Sequence, residues 1–235
     1  MTYHLSLPPL FSSLEVTGDP MQEAVSYARK GCESGLVCYA TSTQNLHAAI
    51  VFAPDVPIAD AVAMLPLCAV GFQNALGALA PPEVALHLTW DGHLKVNGGL
   101  CGGFRMAAST AVATDAADWL VIGLKVPLWP ASDNPGETPY ETALYAEGCA
   151  GVDAIALLEA WVRHTLVWIN RWTEDGVAAL HSEWSALAVD SIGKFMTINE
   201  KNGSFIGVDE RFGALIRDED TTHLIPMTTL VETPK

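Results

Sequence analysis

Basic side chains are scarce in this sequence. Twelve Lys and Arg stand against 27 Asp and Glu in 235 residues, a formal net charge of −15. Binding nucleic acid requires cations that displace counterions from phosphates. So acidic a surface repels DNA, RNA and anionic membranes, and none of these is an expected partner. Cysteines are few and dispersed: Cys32, Cys38, Cys68, Cys101 and Cys149, with no CxxC pair. That pattern excludes a disulfide frame or zinc site and fits reduced thiols. No histidine spacing suggests a metal, and none is expected. The first ten residues lack the basic start and apolar run of a signal peptide. The most apolar stretch, 57–79, is interrupted by Asp60, Pro66, Gln73 and Asn74. A membrane span tolerates these poorly, so the stretch reads as a buried core helix. Internal repeats and low-complexity segments are also missing. A cytoplasmic protein free of membranes is expected.

What is present supports a sizeable core. Half the residues are hydrophobic and 17% are charged, which suits one large domain with or without a small appendage. Apolar periodicity and Gly/Pro punctuation predict helices at 20–30, 59–79 (bent at Pro66), 152–172 and 176–187. Predicted strands fall at 36–39, 46–52, 84–90, 93–96, 99–106 and 119–126. Residues 127–139, with four prolines, read as a loop. In the 152–172 helix, Leu157, Trp161, His164 and Trp168 share one face, either a core stripe or an aromatic ligand wall. After residue 189 the texture changes to short strands at 194–198, 204–208, 213–217 and 222–225 with turns between them, the pattern of a small barrel. The expected division is 1–188 and 189–235, and the expected class is α+β.

Several segments, in order, resemble biotin and lipoate protein ligases. NLHAAIVFAPD at 45–55 is similar to the family strand after the biotin-binding loop. Trp90-Asp91-Gly92-His93 and the following turn stand where the family has its KWPND segment. Gly99-Leu100-Cys101-Gly102-Gly103-Phe104 stands at its KKLAGI-like strand. WLVIG at 119–123, Thr142-Ala143-Leu144, and Glu183-Trp184 resemble later parts of the catalytic domain. Ile206-Gly207-Val208-Asp209 and Gly213-Ala214-Leu215-Ile216 resemble its C-terminal barrel. The resemblance implies a mixed or antiparallel sheet flanked by helices, of the class II aminoacyl-tRNA synthetase/biotin synthetase type, followed by an SH3-like barrel. It implies ATP and biotin or lipoate as ligands, an acyl-adenylate intermediate, and acyl transfer to a lysine of a biotin-acceptor or acyl-carrier protein. It leaves homodimerisation open. Nothing resembles a DNA-binding domain, so the repressor role of some relatives is not expected.

The same positions depart from the family. An Arg- and Gly-rich loop is replaced by Ala40-Thr41-Ser42-Thr43-Gln44, with no cation. The lysine before the family tryptophan is Thr89. The Asn and Asp that help hold ATP and its metal correspond to Gly92 and His93. The lysine that touches acid and phosphate corresponds to Leu100. Charge on a transferring phosphate needs fixed positive partners, so this concerted loss predicts weak or no biotin ligase activity. A pseudoenzyme that binds a small carboxylic acid or an acyl-carrying protein is the leading expectation. An ATP-independent acyl or lipoyl transferase using Cys101 or Cys149, and a non-catalytic interaction platform, are the alternatives.

Expected ligand contacts are Trp90, Asp91, His93, Gly98, Gly102, Gly103 and Phe104. Asn97-Gly98 predicts a two-residue type I′ hairpin, which places Lys95 across from Leu100. There Lys95 either restores an ammonium to the vacated place or is a solvated surface lysine. Cys101 is either a nucleophile or a buried structural thiol, since a thiolate needs an electropositive neighbour. Gly102 and Gly103 either admit a ligand close to the backbone or mark a bulge. Lys95 and Arg105 are the basic residues expected near the site, at most one of them pointing inward.

Overall fold

A computed structural model describes residues 5–132, 137–188 and 191–234 of the chain. The main sheet holds β1 (Ser12–Glu15), β2 (Leu36–Ala40), β3 (Asn45–Phe52), β4 (Leu86–Leu88), β5 (His93–Val96), β6 (Gly99–Ala108) and β7 (Leu120–Pro127). Their order is β1-β2-β3-β7-β6-β5-β4. The β1–β2 pair is parallel, and the others along this path are antiparallel. This is the expected α+β class.

The two faces of the sheet carry different covers. Alternation sends Leu46, Ala48, Ile50 and Phe52 of β3 into the large core, and Ala49 and Val51 toward a smaller one. Over the smaller core lies α1 (Pro20–Arg29), whose Met21, Ala24, Val25 and Ala28 are buried at helical spacing. Its start is fixed by Asp19, whose side chain accepts from Gln22 N, and by Pro20 in the first turn. Over the larger core lie α3 (Met64–Leu79), α4 (Ala154–Asp175) and α5 (Ala178–Leu187).

The expected single helix at 59–79 is two, α2 (Ile58–Ala61) and α3, broken at Val62 and Ala63 rather than bent at Pro66. Pro66 falls in the first turn of α3, where a missing N–H breaks no helical bond. Ile58–Leu79 has the length and composition to cross a membrane, yet 72% of its most apolar window is buried inside the fold. The tryptophan stripe of α4 is core packing: Trp161 Nε1 donates to Cys68 O at 2.9 Å and Trp168 Nε1 to Asn74 Oδ1 at 2.8 Å. His164 of the same expected stripe is only half-buried.

Beyond residue 190, β8 (Phe195–Ile198), β9 (Lys201–Val208), β10 (Ala214–Arg217) and β11 (Thr222–Ile225) form an antiparallel sheet in the order β11-β10-β9-β8. Among the described residues this path is open, not closed into a barrel. Its apolar side chains, Phe205, Phe212, Ile216 and Ile225, belong to the same buried cluster as the main core. The expected division at 189 lies outside the described residues, as do 133–136 of the expected loop.

Two further departures concern strand edges. β1 was not expected from its short SSLE run. More consequentially, β12 (Val231–Glu232) leaves the small sheet and pairs in parallel with Met106 and Ala107 of β6. β5 pairs with β6 only from Gly99 to Gly103, so the backbone of β6 beyond that point has an open edge. Buried backbone groups need partners, and β12 supplies them.

Candidate functional site

Beyond the N-terminal end of α1, where Met21 packs on Gly123, the sheet face carrying the smaller core lies open. A cleft of about 410 Å³ occupies it. Its floor comes from Asn45 of β3, Lys125 and Pro127 of β7, Leu100 and Arg105 of β6, and His93 of β5. The outer wall is the chain returning after β7. Leu100 N donates to Tyr140 O and Thr142 N donates to Leu100 O, both at 2.8 Å. This rung fixes Glu141 and Thr142 beside Leu100.

The hairpin at its rim has the expected turn, with positive φ at Asn97 (49°) and Gly98 (91°). Lys95 does pair with Leu100. Leu100 lines the cleft, while Lys95 is half-buried and outside the lining. Gly98 also stands outside it. Gly102 and Gly103 line the cleft, but their missing side chains serve packing. A Cβ on Gly102 (φ 77°) would lie 2.1 Å from Lys125 O, and one on Gly103 would lie 2.6 Å from Gly92 O. The strands approach closely here, at the irregular register between β5 and β6.

Of the two aromatics expected at the ligand, Trp90 belongs to the core, while Phe104 lines the cleft with its ring packed into the core. Trp90 is 2% exposed, and its Nε1 donates to Phe212 O at 2.6 Å. The void beside it is only about 10 Å³, too small for a ligand. The Phe104 ring packs on Phe72 and Trp161 at centroid distances of 6.2 and 5.9 Å. Cys101 is fully buried in the core with Leu94 and Val96. Burial, with Cys149 and Glu147 nearby, pushes its thiol up to about 12. This environment keeps the thiol protonated and speaks against it as a nucleophile.

His93 and Asp91 form a pair at the cleft edge. Asp91 Oδ1 lies 3.0 Å from His93 Nδ1, Thr89 Oγ1 donates to Asp91 Oδ1, and His93 N donates to Thr89 Oγ1 at 3.0 Å. The hydrogen bond to Asp91 raises the His93 pKa against the effect of burial. For Asp91, burial works to raise the carboxyl, but hydrogen bonds from His93 and Thr89 outweigh it and hold the group below its ordinary range.

Sequence reasoning missed Lys125. It is the one charged residue in the apolar strand LVIGLKVP, and that interruption was the available signal. Its cross-strand neighbours are His47 and Gly103. Burial lowers the His47 pKa, opposed by Asp19 at 3.9 Å and reinforced by Lys125 and Arg105. Arg105 also lines the cleft, but its guanidinium is held by Glu232, with Nε to Oε1 at 2.8 Å and Nη2 to Oε2 at 2.7 Å.

The turn between β2 and β3 adds no cation. Ser42 Oγ accepts from Gln44 N and Asn45 N at 3.0 and 3.3 Å, and Thr41 Oγ1 donates to Glu15 Oε1 at 2.6 Å. Among the described residues, no cluster of His, Cys, Asp and Glu is arranged to hold a metal ion. One lysine, one neutralised arginine and the acidic Glu141 do not fit a triphosphate, whose charge needs several fixed cations.

Residues 7–186 match the model of the biotin/lipoate A/B protein ligase family, and 192–233 match a domain of unknown function, DUF4444. No curated protein is similar enough to be matched. A biotin protein ligase-like protein of unknown function from Silicibacter sp. TM1040 is 54% identical, with a TM-score of 0.92 over 97% of this chain and 99% of that one. The biotin protein ligase of Aquifex aeolicus is 15% identical, with a TM-score of 0.74 over 92% and 95% of the two chains. That of Leishmania major, solved with biotin, is 13% identical, with a TM-score of 0.58 over 93% and 98%. The last two share the fold. Since the family model spans most of its length, the chain belongs to the biotin/lipoate A/B protein ligase family.

Proposed function

We propose that this family member binds a small carboxylic acid in the cleft beside Lys125 and drives ATP-dependent ligation weakly or not at all. One observation carries the reading: the cleft is open and roomy, yet among the described residues Lys125 is the only cation lining it that no carboxylate holds. A cleft of about 410 Å³ suits a short acyl or aromatic acid. The acid's single charge needs one ammonium and nearby backbone donors; ATP needs far more. An acyl-carrier or biotin-acceptor protein would be the partner that delivers or receives such an acid.

The open cleft favours ligand binding over a purely structural platform, whose cleft would be plugged by side chains. The buried, protonated state of Cys101 disfavours a cysteine-based transferase. Cys149 is likewise buried, with its thiol raised by burial.

Calorimetry with octanoate, lipoate and biotin, alongside magnesium ATP, tests the reading. One of the acids binds and the nucleotide does not. Tight, magnesium-dependent ATP binding at physiological salt, or labelling of a biotin-acceptor domain, overturns it.

A further inference from the structure

On the far side of Arg105 from the cleft lies a second opening. A groove of about 500 Å³ runs between α1 and β6, walled by Met21, Val25 and Ala107 and edged by Arg29, Lys30 and Arg105. Three of the chain's twelve basic residues meet there, in a protein of net charge −15. The segment 231–234 lies along it. Its backbone adds to β6 at Met106 and Ala107, its Glu232 carboxylate takes the Arg105 guanidinium in a two-bond fork, and its Pro234 carbonyl accepts from Arg29.

We infer that this groove is a binding site for the carboxylate of an acid with a small apolar body, and that Glu232 is its built-in competitor. The planar fork of Arg105 is already satisfied by a carboxylate of the strap, so the geometry for that group is in place. Met21, Val25 and Ala107 supply apolar contact for the rest of the ligand. The competitor is displaceable. The side chains of Arg105 and Glu232 are 64% and 43% exposed, and exposed ion pairs are individually weak and screened by salt. The strap adds only two residues of strand pairing. A ligand therefore meets a site that is available for a fraction of the time, and its apparent affinity falls by that fraction. Because Arg105 also lines the acid-binding cleft, release of the strap changes the charge of both openings at once.

The test is an NMR titration with benzoate that follows the Arg105 Nε–H resonance in the full chain and in Glu232→Gln. This isosteric change keeps the strap's length and removes the competing charge. Benzoate is expected to bind Glu232→Gln ~5-fold more tightly than the unaltered chain. The gain is expected to vanish in Arg105→Gln/Glu232→Gln and to persist in Lys125→Gln/Glu232→Gln. A second variant lacking residues 231–235 should gain at least as much. Equal affinities with and without Glu232, or a gain that survives loss of Arg105, overturn the inference. A gain abolished by Lys125→Gln places the benzoate in the cleft and overturns it too. Octanoate binding by the unaltered chain tests the cleft separately, so either reading can fail alone.

Discussion

Replacing Trp90 with Phe separates its role in the core from a role at a ligand. Trp90 is 2% exposed, and its indole N–H donates at 2.6 Å to the carbonyl of Phe212, itself fully buried. Phenylalanine keeps most of the ring and removes the donor. Leaving a buried carbonyl without its partner costs about 1–3 kcal/mol. The smaller ring adds a cavity cost of about 1 kcal/mol, because a close-packed core relaxes only in part. The sum, about 2–4 kcal/mol, corresponds to a fall in Tm of roughly 4–16 °C for a chain of this size. Differential scanning calorimetry reads that shift. Because Trp90 joins the main core to the turn before β10, both sheets should still unfold in one transition at the lower temperature. Octanoate affinity should stay within about twofold, since Trp90 does not line the cleft. An unchanged Tm together with lost acid binding would refute this account and return Trp90 to the ligand.

Lys125→Gln should weaken acid binding by about 10–100-fold in calorimetry, the worth of a hydrogen bond to a charged group, with little change in Tm. Cys101 should resist Ellman's reagent in the native protein at neutral pH, because a thiol raised to about 12 is almost wholly protonated, and Cys101→Ser should leave acid binding intact. The His93–Asp91 pair should give a pH-dependent stability term. His93 is raised on folding, so its contribution is complete below its unfolded pKa of about 6.5 and is lost as pH rises through the raised value. Asp91 is lowered, so its contribution is complete above its unfolded pKa of about 3.9 and is lost as pH falls through the lowered value. Urea unfolding of Asp91→Asn should therefore show a larger deficit at about pH 5.5 than at about pH 8.5, under about 1 kcal/mol because both groups are half exposed. Equal deficits at both would contradict the pairing.

Much of this architecture was legible because it is local. The apolar, β-forming runs of β3 and β7, the 3.6-residue spacing of α1, and the Asn97-Gly98 turn each follow from a few neighbouring residues. The turn also set the Lys95–Leu100 register, since a two-residue loop leaves one pairing. That residues 40–44 and Leu100 carry no positive charge could likewise be read directly. Other features depend on partners far away in the chain. Trp90 looked like a ligand wall until Phe212, 122 residues later, was seen to take its N–H. Gly102 and Gly103 invited a ligand, yet the backbones of β7 and of the turn before β5 fill the space. Lys125 joins the cleft only because β7 lies between β3 and β6. The engagement of Arg105 by Glu232 spans 127 positions. Sequence alone determined most of the elements, the acidity and the scarcity of basic side chains, since composition and short-range periodicity carry them. Tertiary structure decided which apolar and charged groups face a ligand and which face one another, because burial and ion pairing depend on contacts between segments distant in sequence.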